Sequence, residues 1–117
     1  MGHTYVEATF HSQFAEGKEV LESLVDTGAT FTTIPRNLAQ RFKLPHITRR
    51  RVTTASGEEQ LDVSYVMIEI LGEKAITEVL ISDKLDRVLI GVLTLEAMGF
   101  KVNPTTEELE RAELLLL

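Results

Sequence analysis

Asp26 is the residue of this sequence whose type and position are best suited to chemistry. It ends the apolar run Leu24-Val25 and is followed at once by Thr27 and Gly28, so its carboxylate comes where a buried strand stops and a tight turn begins. The threonine hydroxyl can bond locally, and a glycine lets another backbone approach the carboxylate closely. A carboxylate presented in this way is suited to general acid–base chemistry.

The Asp-Thr-Gly tripeptide also has a purely structural interpretation. Asp before Thr-Gly is favourable turn chemistry, and a single tripeptide of this kind arises by chance. The surroundings favour function: residues 29–35 return as a second strand, and a later apolar-apolar-Gly element, Leu89-Ile90-Gly91, precedes a predicted helix. On the residues alone, both interpretations stay open.

Other reactive side chains form no recognisable pattern. His3, His11 and His46 are scattered without the spacing of metal ligands, and the chain has no cysteine. Ser56 and Ser64 lack the glycine-flanked pattern of a serine nucleophile, and the glycines form no phosphate-binding loop. The sequence therefore predicts no metal site and no cofactor.

Composition restricts the class of protein and its partners. At 117 residues, with 44% hydrophobic and 26% charged residues, the chain is expected to fold as a single domain over residues 1–117. A net charge of −6 and 6% aromatic residues argue against a nucleic-acid partner, and Arg49-Arg50-Arg51 is interpreted as a solvated strand end or loop. No apolar run predicts a membrane span, and the absence of cysteine and of a signal peptide favours a cytoplasmic protein.

Alternating apolar and polar residues predict a chain made mostly of strands. Pro35 is expected to begin one short helix, and residues 93–98 a second one that Gly99 caps. The predicted strands are residues 4–10, 20–25, 31–34, 52–54, 61–71, 76–81, 88–91 and 100–102, with turns at 55–58 and 72–74.

The C-terminal segment has two possible structures. Residues 105–108 form a passable capping box and residues 109–117 have good helix propensity, which favours a helix. The unbroken apolar end at residues 114–117 would be exposed on a monomer in either form, and so suggests an interface. Helix and interface strand both stay open.

Taken together, these elements make the chain similar to the retropepsin-like (retroviral-type) aspartic peptidases. The similarity covers nearly the whole chain and depends on the Asp26 loop, the Leu89-Ile90-Gly91 element with its helix, and a glycine-bearing hairpin at residues 55–58 that corresponds to the family's flap. It implies an all-β, closed barrel-like fold with one or two short helices, in which each chain carries half of an active site.

This sequence differs from the viral members of the family at two positions. Those enzymes carry an acidic residue two positions after the motif's glycine and an arginine directly after the later glycine, where this chain has Thr30 and Val92. The two viral residues pair with each other, so their joint replacement leaves neither without a partner. A charge pair is therefore not expected to brace this site.

The resemblance implies an aspartic endopeptidase that acts as a homodimer on an extended peptide or unfolded protein. Two Asp26 carboxylates, one per subunit, would share a water and a proton across the two-fold axis. Thr27 would join the two loops, or make only a local turn bond. The residues that the resemblance places against substrate are Gly28, Ala29, Thr30, Ala55, Ser56 and Gly57.

Two other functions stay open at the level of sequence. A dimeric peptide-binding or scaffold module could keep the same fold with little or no proteolytic activity. An unrelated small β domain could carry Asp26 in a chance turn; it would stay monomeric, and Asp26→Asn would change little beyond stability.

Overall fold

In the computed structural model, residues 4–112 are described and form nine strands and two short helices. This composition confirms the predicted all-β fold with short helices. In chain order the elements are β1 (Thr4–His11), β2 (Lys18–Val25), β3 (Thr32–Pro35), α1 (Arg36–Arg41), β4 (Thr48–Thr54), β5 (Gly57–Ile70), β6 (Glu73–Ser82), β7 (Leu89–Ile90), α2 (Val92–Met98), β8 (Phe100–Val102) and β9 (Leu109–Arg111).

Seven of the strands form one sheet in the order β1-β2-β7-β3-β6-β5-β4. The sheet curls into a ring because β1 also pairs with β5, through Thr9, Phe10 and His11. The short strand β7 runs parallel to β2 and antiparallel to β3. It therefore lies between the strand that enters the Asp26 loop and the strand that leaves it.

The core fills the interior of this ring. Alternate residues of β5, namely Val66, Ile68 and Ile70, are buried, as the period of two in a strand requires. Helix α1 contributes Leu38 and Ala39 to the same cluster. The core holds the strands on either side of the Asp26 loop in fixed positions.

Several element boundaries differ from the sequence prediction; β6, for example, begins at Glu73, inside the predicted turn at 72–74. Pro35 is extended, with φ −67° and ψ 150°, and precedes the first helical residue instead of being it. Strands β4 and β5 begin at Thr48 and Gly57, several residues before the predicted starts. The arginine run lies exposed on β4, where Arg49 lies 3.4 Å from Asp62 on β5 and Arg50 lies 2.9 Å from Glu78 on β6.

The C-terminal segment forms a strand where the structure describes it. Leu109–Arg111 pairs with Phe100–Val102, so ladder bonds prevail over local helix propensity. The Asn103 side chain accepts two backbone N–H bonds in the intervening turn. The predicted apolar interface at residues 114–117 lies outside the described residues.

Candidate active site

The Asp26 loop is fixed from behind by the later apolar strand. The backbone N–H of Asp26 donates to the carbonyl of Ile90 at 2.9 Å, and the N–H of Leu24 donates to the carbonyl of Val88 at 3.0 Å. These bonds continue the parallel pairing of β2 with β7 by one residue, so the strand ladder itself sets the position of Asp26.

A second set of backbone bonds joins the far side of the loop to the start of α2. The N–H of Val92 donates to the carbonyl of Ala29 at 2.8 Å, and the N–H of Leu93 donates to that of Thr30 at 3.1 Å. Between these contacts, Gly91 lies so close to the other chain segment that a Cβ would be 2.4 Å from the carbonyl carbon of Phe31. Only glycine permits this crossing.

The carboxylate of Asp26 is half-buried and oriented by its own turn. Its Oδ1 accepts a hydrogen bond from the N–H of Gly28 at 3.0 Å, and its backbone carbonyl accepts one from Ala29 at 3.1 Å. Within residues 4–112, Oδ2 has no hydrogen-bond partner. The side chain is thus oriented through Oδ1.

Asp26 lies on the wall of an open groove of about 800 Å³. The opposite wall is the hairpin of β4 and β5, and one end is formed by the loop that follows β6. Of the predicted site residues, those that line the groove are Asp26, Gly28, Ala29, Thr30, Ala55 and Ser56. Thr27 is exposed, and neither it nor Gly57 lines the groove.

Comparison with models of known protein families shows which family this chain belongs to. The family described as gag-polyprotein putative aspartyl protease matches residues 15–97, a span that contains the Asp26 loop, the hairpin and the Gly91 crossing. The chain belongs to this aspartyl protease family. The match confirms the predicted retropepsin-like domain. No curated protein matches the chain.

The hairpin of this aspartyl protease domain has a tip braced by hydroxyl groups. Thr54 Oγ1 donates to the carbonyl of Gly57 at 2.9 Å and accepts the N–H of Ser56 at 3.2 Å. Gly57 has φ +119°, a conformation that favours glycine. The sequence prediction singled out Ser56 and Gly57 but missed Thr54, although a hydroxyl residue just before a turn is a usable signal.

Ion pairs connect this hairpin to the loop that follows β6. Lys84 Nζ lies 2.9 Å from a carboxylate oxygen of Glu59, and both residues line the groove. Nearer the base of the hairpin, Arg36 donates to both Asp62 and Asp83 at 2.8 Å. Hydrogen bonds from this guanidinium lower the pKa of each carboxyl below its usual value. These links were not predicted, because their members are far apart in sequence.

The remaining groove walls are largely apolar. Val52 and Leu89 line the groove, whereas Ile34 is buried in the core. The apolar side chains at the groove surface are Phe31, Val52, Leu61, Leu80, Leu85 and Leu89.

The described residues meet neither the requirements of a metal site nor those of a membrane-spanning helix. Between residues 4 and 112 no group of three or more His, Asp or Glu side chains is placed to hold a metal ion. His11 lies 3.5 Å from Glu69 and His46 lies 3.6 Å from Asp62, on separate parts of the barrel; His3 lies outside the described residues. None of the described helices is long and apolar enough to cross a membrane.

Proposed function

We propose that this chain is an aspartic endopeptidase that hydrolyses peptide bonds as a homodimer, with Asp26 of each subunit in one active site. The observation that carries the proposal is the Asp26 carboxylate itself, which is oriented by Gly28 at 3.0 Å and lies on a groove large enough for a peptide. Membership of the aspartyl protease family supports the same chemistry.

A second chain supplies what one chain lacks. Two carboxylates are needed, one as general base and one as general acid. Among residues 4–112 the other carboxylate on the groove is Glu59, and its ion pair with Lys84 makes it unsuited to that role. A two-fold axis beside Asp26 would bring the same residue of a second copy into the site.

In the proposed reaction the two Asp26 carboxylates hold one proton between them, because like charges so close cannot both ionise easily. The ionised carboxylate removes a proton from the attacking water. The protonated carboxyl supports the developing oxyanion and then donates its proton to the leaving nitrogen. No covalent intermediate forms, and activity is expected on the acidic side of neutrality.

Substrate binding would use both walls of the groove. Gly28, Ala29 and Thr30 form one wall, and Ala55 and Ser56 reach over from the hairpin. An extended peptide can bond to exposed backbone on each side, while the apolar walls favour aliphatic or aromatic side chains. The exposed Thr27 hydroxyl is proposed to join the loops of the two subunits.

The first test compares cleavage of a diverse peptide pool by wild type and Asp26→Asn at mildly acid pH. Asp86→Asn is a matched control, because this exposed carboxylate does not line the groove. Cuts between apolar residues by wild type and by the control, but not by Asp26→Asn, are expected. If wild type makes no cuts over a range of acid pH but still binds peptides as a dimer, the peptide-binding module is the better description.

A mixing experiment tests the shared site. Subunits of wild type and Asp26→Asn should exchange, so an excess of the inactive chain should suppress wild-type activity by forming mixed dimers. Activity that stays proportional to the amount of wild type would show that each chain works alone. Sedimentation velocity of each protein gives the oligomeric state independently.

A further inference from the structure

Three buried threonine hydroxyls form a connected chain behind the Asp26 loop. Thr32 on β3, Thr94 on α2 and Thr77 on β6 are 0%, 1% and 9% exposed. The hydroxyl oxygens of Thr32 and Thr94 are 2.6 Å apart, and those of Thr94 and Thr77 are 2.8 Å apart. Thr94 is therefore the central member that joins the two strands to the helix.

The hydrogen bonds in this chain have one direction that satisfies every hydrogen. The N–H of Gly91 donates to Thr32 Oγ1 at 3.0 Å, and the hydroxyl of Thr77 donates to the carbonyl of Glu78 at 3.3 Å. Since each hydroxyl has one hydrogen, Thr32 donates to Thr94 and Thr94 donates to Thr77. The reverse order would leave the Thr32 hydrogen without an acceptor.

The chain of threonine hydrogen bonds ends at the peptide group that holds Asp26. This group joins Ile90 to Gly91: its N–H donates to Thr32, and its carbonyl accepts the backbone N–H of Asp26 at 2.9 Å. Gly91 is packed against backbone atoms of Phe31, so the peptide has no room to shift sideways, and hydrogen bonds at its two ends fix its rotation.

We propose that Thr94 is a positioning residue for Asp26, acting through Thr32 and the Ile90–Gly91 peptide. The inference rests on the proposed peptidase function for its kinetic consequence. Directed chains of hydrogen bonds in a dry interior reinforce one another, so loss of the central hydroxyl weakens the bonds on both sides. Without the Thr94 hydroxyl, Thr32 loses its acceptor and holds the Gly91 N–H less firmly, so the Ile90–Gly91 peptide and the Asp26 backbone bonded to it become more mobile.

The kinetic test compares Thr94→Val, which keeps the shape but removes the hydroxyl, with Thr94→Ser, which keeps the hydroxyl. Thr94→Val should lower kcat about tenfold or more with KM nearly unchanged, because a small misplacement of a reacting group is costly. Thr94→Ser should restore most of the loss. Ser64→Ala removes another buried hydroxyl, one that donates to the carbonyl of Pro45, and should leave kcat unchanged.

Amide hydrogen exchange measured by NMR gives a readout that does not need activity. Thr94→Val should speed exchange at the amides of Asp26 and Gly91, whereas Ser64→Ala should not. Unchanged kcat in an active, folded Thr94→Val protein overturns the inference, and so do unchanged exchange rates at these two amides. If the wild type cleaves nothing, the proposed function fails while the exchange rates still decide the inference.

A second variant covers the case in which Thr94→Val does not fold. Thr77→Val removes the last hydroxyl of the chain and leaves the bond between Thr32 and Thr94 in place. Thr77→Val should lower kcat and speed hydrogen exchange at the Asp26 amide, both by smaller factors than Thr94→Val. No change in either quantity would overturn the inference.

Discussion

Gly91→Ala tests whether the crossing behind Asp26 depends on the absence of a side chain. A Cβ at this position would lie 2.4 Å and 2.5 Å from the carbonyl carbon and oxygen of Phe31 and 2.8 Å from the nitrogen of Thr32. All three are backbone atoms, so no side chain can rotate away. An ordinary contact, at 3.4 Å or more, requires the two segments to separate by about 1 Å.

The expected cost follows from that separation. Overpacking of this kind costs about 1–3 kcal/mol. The same movement stretches two hydrogen bonds, Asp26 N–H to Ile90 at 2.9 Å and Gly91 N–H to Thr32 at 3.0 Å, which contribute about 1 kcal/mol each. The free energy of unfolding should therefore fall by about 3–5 kcal/mol, and Tm by roughly 10–25 °C for a domain of this size.

Thermal and urea unfolding followed by circular dichroism measure this change, at one fixed protein concentration because the proposed dimerisation would make Tm depend on concentration. Gly72→Ala is the matched control. Gly72 has φ +85° with nothing within 4 Å of a Cβ, so alanine there meets only the conformational cost, about 1–2 kcal/mol. If Gly91→Ala loses no more stability than Gly72→Ala, the steric reasoning is refuted.

Three further predictions concern the groove rim and the core. Arg36 lowers the pKa of Asp62 and Asp83 in the folded protein, so these ion pairs stabilise the fold above the usual carboxyl pKa of about 4. This stabilisation is lost as the pH falls below that value and the carboxylates become protonated. Arg36→Gln should therefore make Tm fall less steeply with decreasing pH below about pH 4. Lys84→Gln breaks the ion pair across the groove and should speed amide exchange in the β4–β5 hairpin, as high salt should in wild type. Leu38→Ala, at a residue 1% exposed, should cost about 2–5 kcal/mol in urea unfolding with an unchanged m value, and a cost below 1 kcal/mol would contradict its place in the core.

Local patterns in the sequence were sufficient to predict the elements around the site. Asp26 follows an apolar strand, and the Leu89-Ile90-Gly91 element precedes a helix, as their residues predicted. Gly99, predicted as a helix cap, has φ 78° and ends α2 as expected. These predictions succeeded because each depends on a few neighbouring residues.

The features that sequence reasoning missed depend on contacts between distant residues. Thr32, Thr77 and Thr94 each match the β-branched or polar pattern of their own element, and no local signal shows that the three hydroxyls meet. The ion pair of Glu59 with Lys84 joins residues 25 positions apart. At the C-terminus, pairing with Phe100–Val102 decided the structure of Leu109–Arg111, whose own propensity favours a helix.

Main-chain hydrogen bonds join the two segments that carry a charge pair in the viral enzymes. The two positions concerned, Thr30 and Val92, lie in segments that are joined here by main-chain bonds: Val92 N–H to the carbonyl of Ala29, and Leu93 N–H to that of Thr30. Main-chain amides do not titrate, and buried hydrogen bonds are little affected by salt. A loop held by these neutral main-chain groups therefore keeps its geometry as pH and salt change, and the proposed active site does not depend on the charge pair for its shape.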